Sequence, residues 1–239
     1  GEILLERGSL EEAKTYLERA CRTTQSLWFL DSLDGMVSLA RLHQAQGEVP
    51  EAQAILAEAA HIASSGESSK WDEQLVAATA VRLALQRGDL DAAGQWWKKG
   101  GFPDLNAAFP AERYPYHILE RLLLTQARFL LIKSQEIGSA RDLKQAAELL
   151  GTLLREAERL QRVTSQIEIL VLQAMVQQAL GDRQAIKTLL RALVLGEPEG
   201  YRQVYLDEGR WLPDLLGQCR STQLQAGSHL PSPAFIDSL

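Results

Sequence analysis

Apolar residues recur along this chain at intervals of three and four positions, the spacing of one face of an α-helix. After Gly8, for example, Leu10, Ala13, Leu17 and Ala20 form a single apolar stripe with polar residues between them. Ala, Leu, Gln and Glu, which favour helices, are abundant throughout the 239 residues. The pattern therefore predicts an all-α fold.

A short phrase recurs between the helical stretches, in most copies with a glycine first and an alanine sixth. Its copies begin at Gly8, Gly47, Gly88 and Gly181, and a degenerate copy without its glycine begins at Arg141. Most copies are about 40 residues apart, which is typical of stacked repeats, because a single copy cannot bury its apolar face without a neighbour. Glycine permits a sharp turn and alanine a close approach of antiparallel helices. Each unit is therefore predicted to be a helix pair around a turn.

The first helix of each pair is predicted at about 28–46, 70–87, 116–134 and 163–180. Residues 1–7 are interpreted as the end of an earlier helix, so the chain is expected to be an excised piece of a longer one. Residues 100–115 contain three prolines and are predicted to be an insertion that interrupts the helices. A cap over 197–220 should close a repeat domain of residues 1–220, and the Ser/Pro/Gly/Gln-rich stretch 221–239 is predicted to be a linker or tail.

The layout of helix, glycine turn and helix resembles the tetratricopeptide repeat, whose second helix opens with a similar Gly-Asp-Tyr-x-x-Ala phrase. The units here are longer than that family's repeat of about 34 residues, and its marker Trp, Tyr and Pro positions are mostly absent. The resemblance implies a right-handed superhelix of antiparallel helix pairs, which is a TPR-like α-solenoid.

The most specific string runs Glu-Pro-Glu-Gly-Tyr-Arg-Gln-Val-Tyr-Leu-Asp-Glu-Gly, from Glu197 to Gly209. It resembles the end of the helical sensor domain in large LuxR-type bacterial regulators of the MalT-like kind, where a similar phrase precedes a linker to a DNA-binding helix-turn-helix. The stretch Leu39–Gly47 resembles that family's helix ends, and the resemblance covers about residues 1–220. It implies a cytoplasmic, effector-sensing and protein-interaction domain of a transcription activator.

Two parts of that family are missing from these residues. There is no Gly-x-x-x-x-Gly-Lys-Ser/Thr loop, so ATP, which the resemblance implies as a cofactor of the regulator, should be bound by another module. No basic helix-turn-helix follows Gln218, and a net charge of −6 argues against direct contact with nucleic acid. No apolar run is long enough to cross a membrane.

Three arginines occupy equivalent places in successive first helices. They are Arg41, Arg82 and Arg128, and Met175 takes the same place in the last unit. Because repeats stack in register, we expect an arginine row along the groove, favouring a ligand rich in carboxylate, phosphate or hydroxyl groups. The alternative is that these arginines stabilise the stacked repeats by forming ion pairs with acids on neighbouring helices, such as Asp34, Glu73, Glu120 and Glu168.

Trp71, Tyr114 and Tyr116 are further candidates, because sugars and heteroaromatic effectors stack on such rings. Their alternative is a role in the core or between helices, which is also expected of Trp97. Catalysis has little support, because the four histidines are scattered and no nucleophile elbow occurs. His43 is predicted to lie in the core. Cys21 and Cys219 match no metal or redox spacing.

The leading hypothesis is thus a sensor domain that binds a small-molecule inducer or peptide, and that self-associates or contacts other domains of the same regulator. The alternative is a generic TPR-like scaffold that binds a peptide or protein partner in its groove. One candidate occupant is the chain's own C-terminal segment, in which Phe235, Ile236 and Leu239 are possible anchors.

Overall fold

The computed structural model describes residues 1–24, 29–65, 69–108, 114–226 and 231–239. Within these ranges the regular structure is helical, apart from turns, and one short 3₁₀ helix covers Gly209–Trp211. The α-helices of these ranges are α1 (Glu2–Glu6), α2 (Leu10–Thr24), α3 (Phe29–Ala45), α4 (Val49–Ala63), α5 (Lys70–Gln86), α6 (Leu90–Lys99), α7 (Tyr116–Ile137), α8 (Ala140–Arg159), α9 (Val163–Ala179), α10 (Ala185–Gly196), α11 (Gln203–Leu206), α12 (Pro213–Ala226) and α13 (Pro233–Asp237).

The all-α, TPR-like prediction is confirmed. The four predicted first helices correspond to α3, α5, α7 and α9, with ends that differ by at most a few residues. Each is followed by a turn and then by the second helix of its pair.

One repeat turn lies earlier than the sequence pattern placed it. The sequence pattern places this turn near Arg141, but α7 ends in a turn at Gly138, whose φ is 71°. Ser139 then caps α8, its hydroxyl accepting a hydrogen bond from the Asp142 amide at 3.2 Å. The glycine escaped notice because the copy that starts at Gly138 has Ala140 at its third place and Leu143 at its sixth, where the other glycine turns mostly have a larger apolar residue and an alanine. This unit therefore has the same turn as its neighbours.

The chain divides into two compact units, of which the first comprises Gly1–Thr125. Within it, each helix from α1 to α6 packs against the next in chain order. Small and branched side chains from α3, α4 and α5 form the centre of its core, among them Val37, Ala40, Ala52, Leu56 and Leu83. The small alanines allow the close helix approach that the repeated phrase predicts.

The second unit comprises Gln126–Leu239, and α9 is its central helix. Because α8, α10 and α11 all pack against α9, this helix is apolar on nearly every side instead of along one stripe. Ile167, Leu170 and Val171 on α9 are buried, as are Leu189 and Leu193 on α10. Behind α10, α12 extends the packing toward the C-terminus.

The C-terminal stretch is not the linker that its composition suggested. Helix α12 continues to Ala226, and after residues 227–230, which lie outside the described ranges, α13 packs against α12. Phe235 and Ile236 of α13 are buried, so two of the three anchors expected from the sequence do contact the domain. Composition alone does not predict this packing, because the burial of two apolar side chains is enough to hold a short polar segment against the domain.

The structure describes part of the predicted insertion, including residues 100–108. Trp97 is buried as expected, and its indole Nε1 donates a hydrogen bond to the carbonyl of Pro103 at 2.8 Å. The ring of Phe102 packs against Trp97, with centroids 4.8 Å apart. Residues 109–113 of the insertion are not among the described residues. In the part of the chain that the structure covers, no helix combines the length and apolarity needed to cross a bilayer.

Candidate functional site

In the first unit, side chains of successive first helices form one polar surface, here called the first-helix face. It consists of contacts from α1 to α3 and from α3 to α5. The Ser38 hydroxyl donates to the Glu2 carboxylate at 2.6 Å, and the Arg41 Nη2 donates to the Glu6 carboxylate at 2.7 Å. These partners are separated by 36 and 35 positions, about one repeat. The repeats are thus joined by polar contacts in register, as a stacked array requires.

Gln44 continues the first-helix face from α3 to α5. Its amide nitrogen donates to the carbonyl of Leu83 at 2.9 Å and to the Gln86 side-chain oxygen at 2.6 Å. Its own side-chain oxygen accepts from the Arg87 Nη1 at 2.6 Å. Sequence reasoning missed Gln44 and Gln86. Their signal was a pair of glutamines near the ends of two first helices, which glutamine's abundance elsewhere obscured.

Arg41 and Arg82 both belong to the first-helix face. Arg41 precedes Gln44 by one helical turn, and Arg82 precedes Gln86 by one turn, so each pair shares one side of its helix. Both arginines are half-buried. The side chains of Arg41 and Glu6 keep 16% and 17% of their surface exposed, so a polar ligand could reach this pair.

In α7, Arg128 lies about one helical turn farther from its turn glycine, Gly138, than Arg41 and Arg82 lie from theirs, and its environment is different. It is only 3% exposed, and its guanidinium contacts two carboxylates of the second unit. Nη2 lies 2.8 Å from Glu168 Oε1 on α9, while Nε and Nη2 lie 3.0 and 2.7 Å from Glu208 Oε1. The predicted groove role for Arg128 is therefore corrected to the alternative, pairing between helices, because a guanidinium enclosed in this way is not open to a ligand.

The charges around Arg128 also determine its protonation. Burial by itself lowers the pKa of this guanidinium, but the charges of Glu208 and Glu168 and their hydrogen bonds raise the pKa by more. The net pKa is above the ordinary arginine value. Arg128 thus remains a cation and pairs with both acids.

The string from Glu197 to Gly209 forms the first part of the cap, which covers 197–220. Gly196, just before it, lies so close to Tyr205 that a Cβ there would collide with the ring and its hydroxyl. The Tyr205 hydroxyl donates to the carbonyl of Ala192 at 2.8 Å, and burial raises the pKa of this phenol. The Gln203 amide donates to Asp207 at 2.7 Å. The string therefore folds back onto α10 through the contact of Tyr205 with Ala192.

The aromatic candidates have different degrees of exposure. Trp71, near the start of α5, is 43% exposed. Tyr114 is half-buried, and its hydroxyl accepts a hydrogen bond from the buried amide of Gln74 at 3.3 Å, which ties it to α5. Tyr116 is half-buried at the first position of α7. The structure thus leaves Trp71 as the most exposed of the three rings.

His43 is buried, as predicted, and takes part in a turn contact. Its Nδ1 lies 2.5 Å from Glu48 Oε2 across the Gly47 turn, and Lys14 approaches the same carboxylate at 3.6 Å. The hydrogen bond with His43 lowers the pKa of Glu48, helped by the positive charge of Lys14. Among the described residues there is no cluster of His, Cys, Asp or Glu that could hold a metal ion. The histidine therefore stabilises the second repeat turn.

Comparison with known families agrees with these observations. The family model for the MalT-like TPR region matches residues 1–222. The chain belongs to this family. No curated protein gives a significant match. A MalT-like TPR region indicates a sensor or interaction domain of a regulator, and an all-α domain of this type is typically non-catalytic.

The family match extends over the helix pairs of both units and over the whole cap string. It ends at residue 222, within α12. The docked segment that contains α13 therefore lies outside the region that the family describes. Sequence reasoning identified the cap string but missed its partners Arg128 and Ser232, which lie far from it in the chain.

Proposed function

We propose that this chain is the effector-sensing and protein-interaction domain of a LuxR-type transcription activator, with Arg41 and Arg82 of the first-helix face as its ligand-binding row. The single observation that carries the proposal is the half-buried polar surface joining α1, α3 and α5, in a domain of the MalT-like TPR family. In this proposal the ATP-binding and DNA-binding parts belong to other regions of the regulator.

The chemistry of the row defines the ligand class. A guanidinium offers donors in a planar fork that fits carboxylate and phosphate groups, and Gln44 and Gln86 add amide groups suited to hydroxyls. The ligand is thus a polar small molecule with an acidic or hydroxyl-rich group, or an acidic peptide. Arg128 is left out of the row because Glu168 and Glu208 enclose it.

Ligand binding would act by population shift. Arg41 holds Glu6 of the preceding helix at 2.7 Å, so an anionic ligand that binds Arg41 competes with that carboxylate. An effector that prefers the arrangement without the Arg41–Glu6 pair increases the population of that arrangement. Release of α1 from α3 is then the local event that permits self-association or a new contact within the regulator.

The test is a thermal-shift screen against sugars, nucleotides, acyl compounds, aromatic acids and acidic peptides. A ligand at 100 times its Kd stabilises the folded state by about 2.7 kcal/mol, enough for a clear rise in Tm. We expect a saturable rise that Arg82→Ala abolishes and that Arg19→Ala, an exposed change on α2, leaves intact.

Two results would refute this site. One is a ligand whose effect survives in Arg82→Ala, and the other is no response to any class in the panel. In the second case the chain is better described as a TPR-like scaffold for a peptide or protein partner. Light scattering of the chain with each binding compound then tests the self-association step. An effector that leaves the oligomeric state unchanged does not act through self-association.

A further inference from the structure

The segment 231–239 contacts the cap through a small and well-defined set of groups. The Glu197 carboxylate accepts hydrogen bonds from the backbone amide of Ser232 at 2.9 and 3.1 Å and from its hydroxyl at 2.5 Å. Arg220 Nε lies 2.6 Å from Asp237 Oδ1, and its Nη2 donates to the other oxygen at 2.9 Å. A carboxylate at one end and a guanidinium at the other thus fix the direction of the segment.

Between these polar contacts the segment buries two adjacent apolar side chains. Phe235 and Ile236 are 7% and 5% exposed, and the Phe235 ring meets the Tyr205 ring edge-on, with centroids 6.1 Å apart. The surface beneath recognises an ordered pattern: a serine amide and hydroxyl, then an aromatic and an aliphatic residue, then an acid. Such alternation of anchor and polar group is the way short peptides are recognised.

Two buried residues of the cap, Tyr205 and Glu208, are held in place by contacts that do not involve the segment. Tyr205 is fixed by its hydrogen bond to Ala192, and Glu208 by Arg128. These residues, together with Glu197 and Arg220, lie within the family match at residues 1–222, whereas the segment lies beyond it. The docking surface is therefore made of residues that precede the segment, and its Tyr205 is oriented by a contact within the domain.

The segment itself has little structure of its own. Helix α13 contains five residues, and a helix of that length is not stable in water without a partner. Its polar contact at the far end, between Arg220 and Asp237, joins two side chains that are each about half exposed. The helix therefore forms by docking, and its contacts are few enough to be broken locally while the repeats remain folded.

We propose that residues 231–239 are a displaceable internal ligand, and that the surface made by Glu197, Tyr205 and Arg220 is a peptide-docking site for a segment of this type. In the docked state the segment covers Tyr205 and buries its own Phe235 and Ile236. In the released state both apolar surfaces are exposed, and the site accepts the same segment supplied from outside. This site is separate from the first-helix face of the proposed function.

The experiment uses the full chain and a fluorescent peptide with the sequence of residues 231–239. We expect the unmodified chain to bind this peptide weakly, because its own segment competes at high effective concentration. The double variant Phe235→Ala/Ile236→Ala frees the site and should bind the peptide at least tenfold more tightly and saturably. Adding Glu197→Gln to the double variant should weaken that binding again, and a peptide with both anchors changed to alanine should not bind.

Two controls keep the result interpretable. Ala234→Ser, which changes an exposed residue of α13, should leave peptide binding as weak as in the unmodified chain. Hydrogen exchange on the unmodified chain needs no variant: we expect the Phe235, Ile236 and Ser238 amides to exchange at least tenfold faster than those of α10. Equal peptide binding by the unmodified chain and a folded double variant, or exchange of α13 at the rate of α10, would overturn the proposal.

Discussion

Arg128 and Glu208 are separated by 80 positions in the chain, and two hydrogen bonds join them: Arg128 Nε and Nη2 both donate to Glu208 Oε1, at 3.0 and 2.7 Å. Both residues are almost completely buried. Arg128 Nη2 also donates to Glu168 Oε1 at 2.8 Å, so one guanidinium contacts two carboxylates. This pairing attaches the C-terminal cap to the helix pairs of the second unit, and a variant that breaks it should have the largest effect on stability.

We expect Arg128→Met to destabilise the fold by about 3–5 kcal/mol, because it leaves the Glu208 carboxylate buried without its cation. Chemical denaturation followed by circular dichroism measures the change. The matched control is Arg121→Met on the same helix, whose contact with Asp34 at 3.8 Å is solvent-exposed and should contribute less than about 1 kcal/mol. Similar losses of unfolding free energy in the two variants would show that the buried network stabilises the fold no more than the exposed pair does.

The second prediction concerns the contact between Gly196 and Tyr205. A methyl group at position 196 would overlap the Tyr205 ring, so we expect Gly196→Ala to cost about 1–3 kcal/mol through displacement of that ring. Gly217→Ala, within α12, meets no atom within 4 Å and should instead stabilise the protein by about 0.5–1 kcal/mol. Thermal unfolding of the two variants compares them directly. An unchanged Tm for Gly196→Ala would mean that the cap adjusts without strain.

The third prediction concerns pH and the pair His43–Glu48. Because its hydrogen bond with His43 lowers the pKa of Glu48 in the folded state, the carboxylate stabilises the fold above its ordinary pKa. That stabilisation is lost as the pH falls through the lowered folded value, since the unfolded chain binds the proton more readily. Glu48→Gln should therefore reduce the loss of Tm between neutral and acidic pH. Parallel Tm profiles for the two proteins would contradict this assignment.

The fourth prediction tests the join between α3 and α5. Gln44→Ala removes three hydrogen bonds at once and leaves the Gln86 and Arg87 side chains without this partner, so we expect a loss of about 1–3 kcal/mol. Gln46→Ala is the matched control two residues away, because the contact of Gln46 with Glu11 lies at the exposed surface. It should change the free energy of unfolding by less than about 0.5 kcal/mol. Equal effects would show that Gln44 does not join the repeats.

Much of the fold follows from local patterns in the sequence. One example is the stripe of apolar residues after Gly8, and another is the glycine at each turn. Both patterns involve only a few neighbouring positions, so they can be recognised in the sequence without knowledge of any tertiary contact. The same is true of the cap string from Glu197 to Gly209, whose residue types identify the family. Gly138 shows the limit of this approach, because Leu143 replaces the alanine at the sixth place of its phrase, and the turn was not recognised.

The sequence by itself determined the helices, their pairing around turns and the family, because helix periodicity and turn chemistry are local properties. It also predicted a single row of Arg41, Arg82 and Arg128. Only the tertiary structure distinguished them: Glu208 and Glu168 enclose Arg128, whereas Arg41 and Arg82 remain half-buried. The docking of Phe235 against Tyr205 was likewise decided in three dimensions, because burial and charge pairing depend on residues that approach from distant parts of the chain.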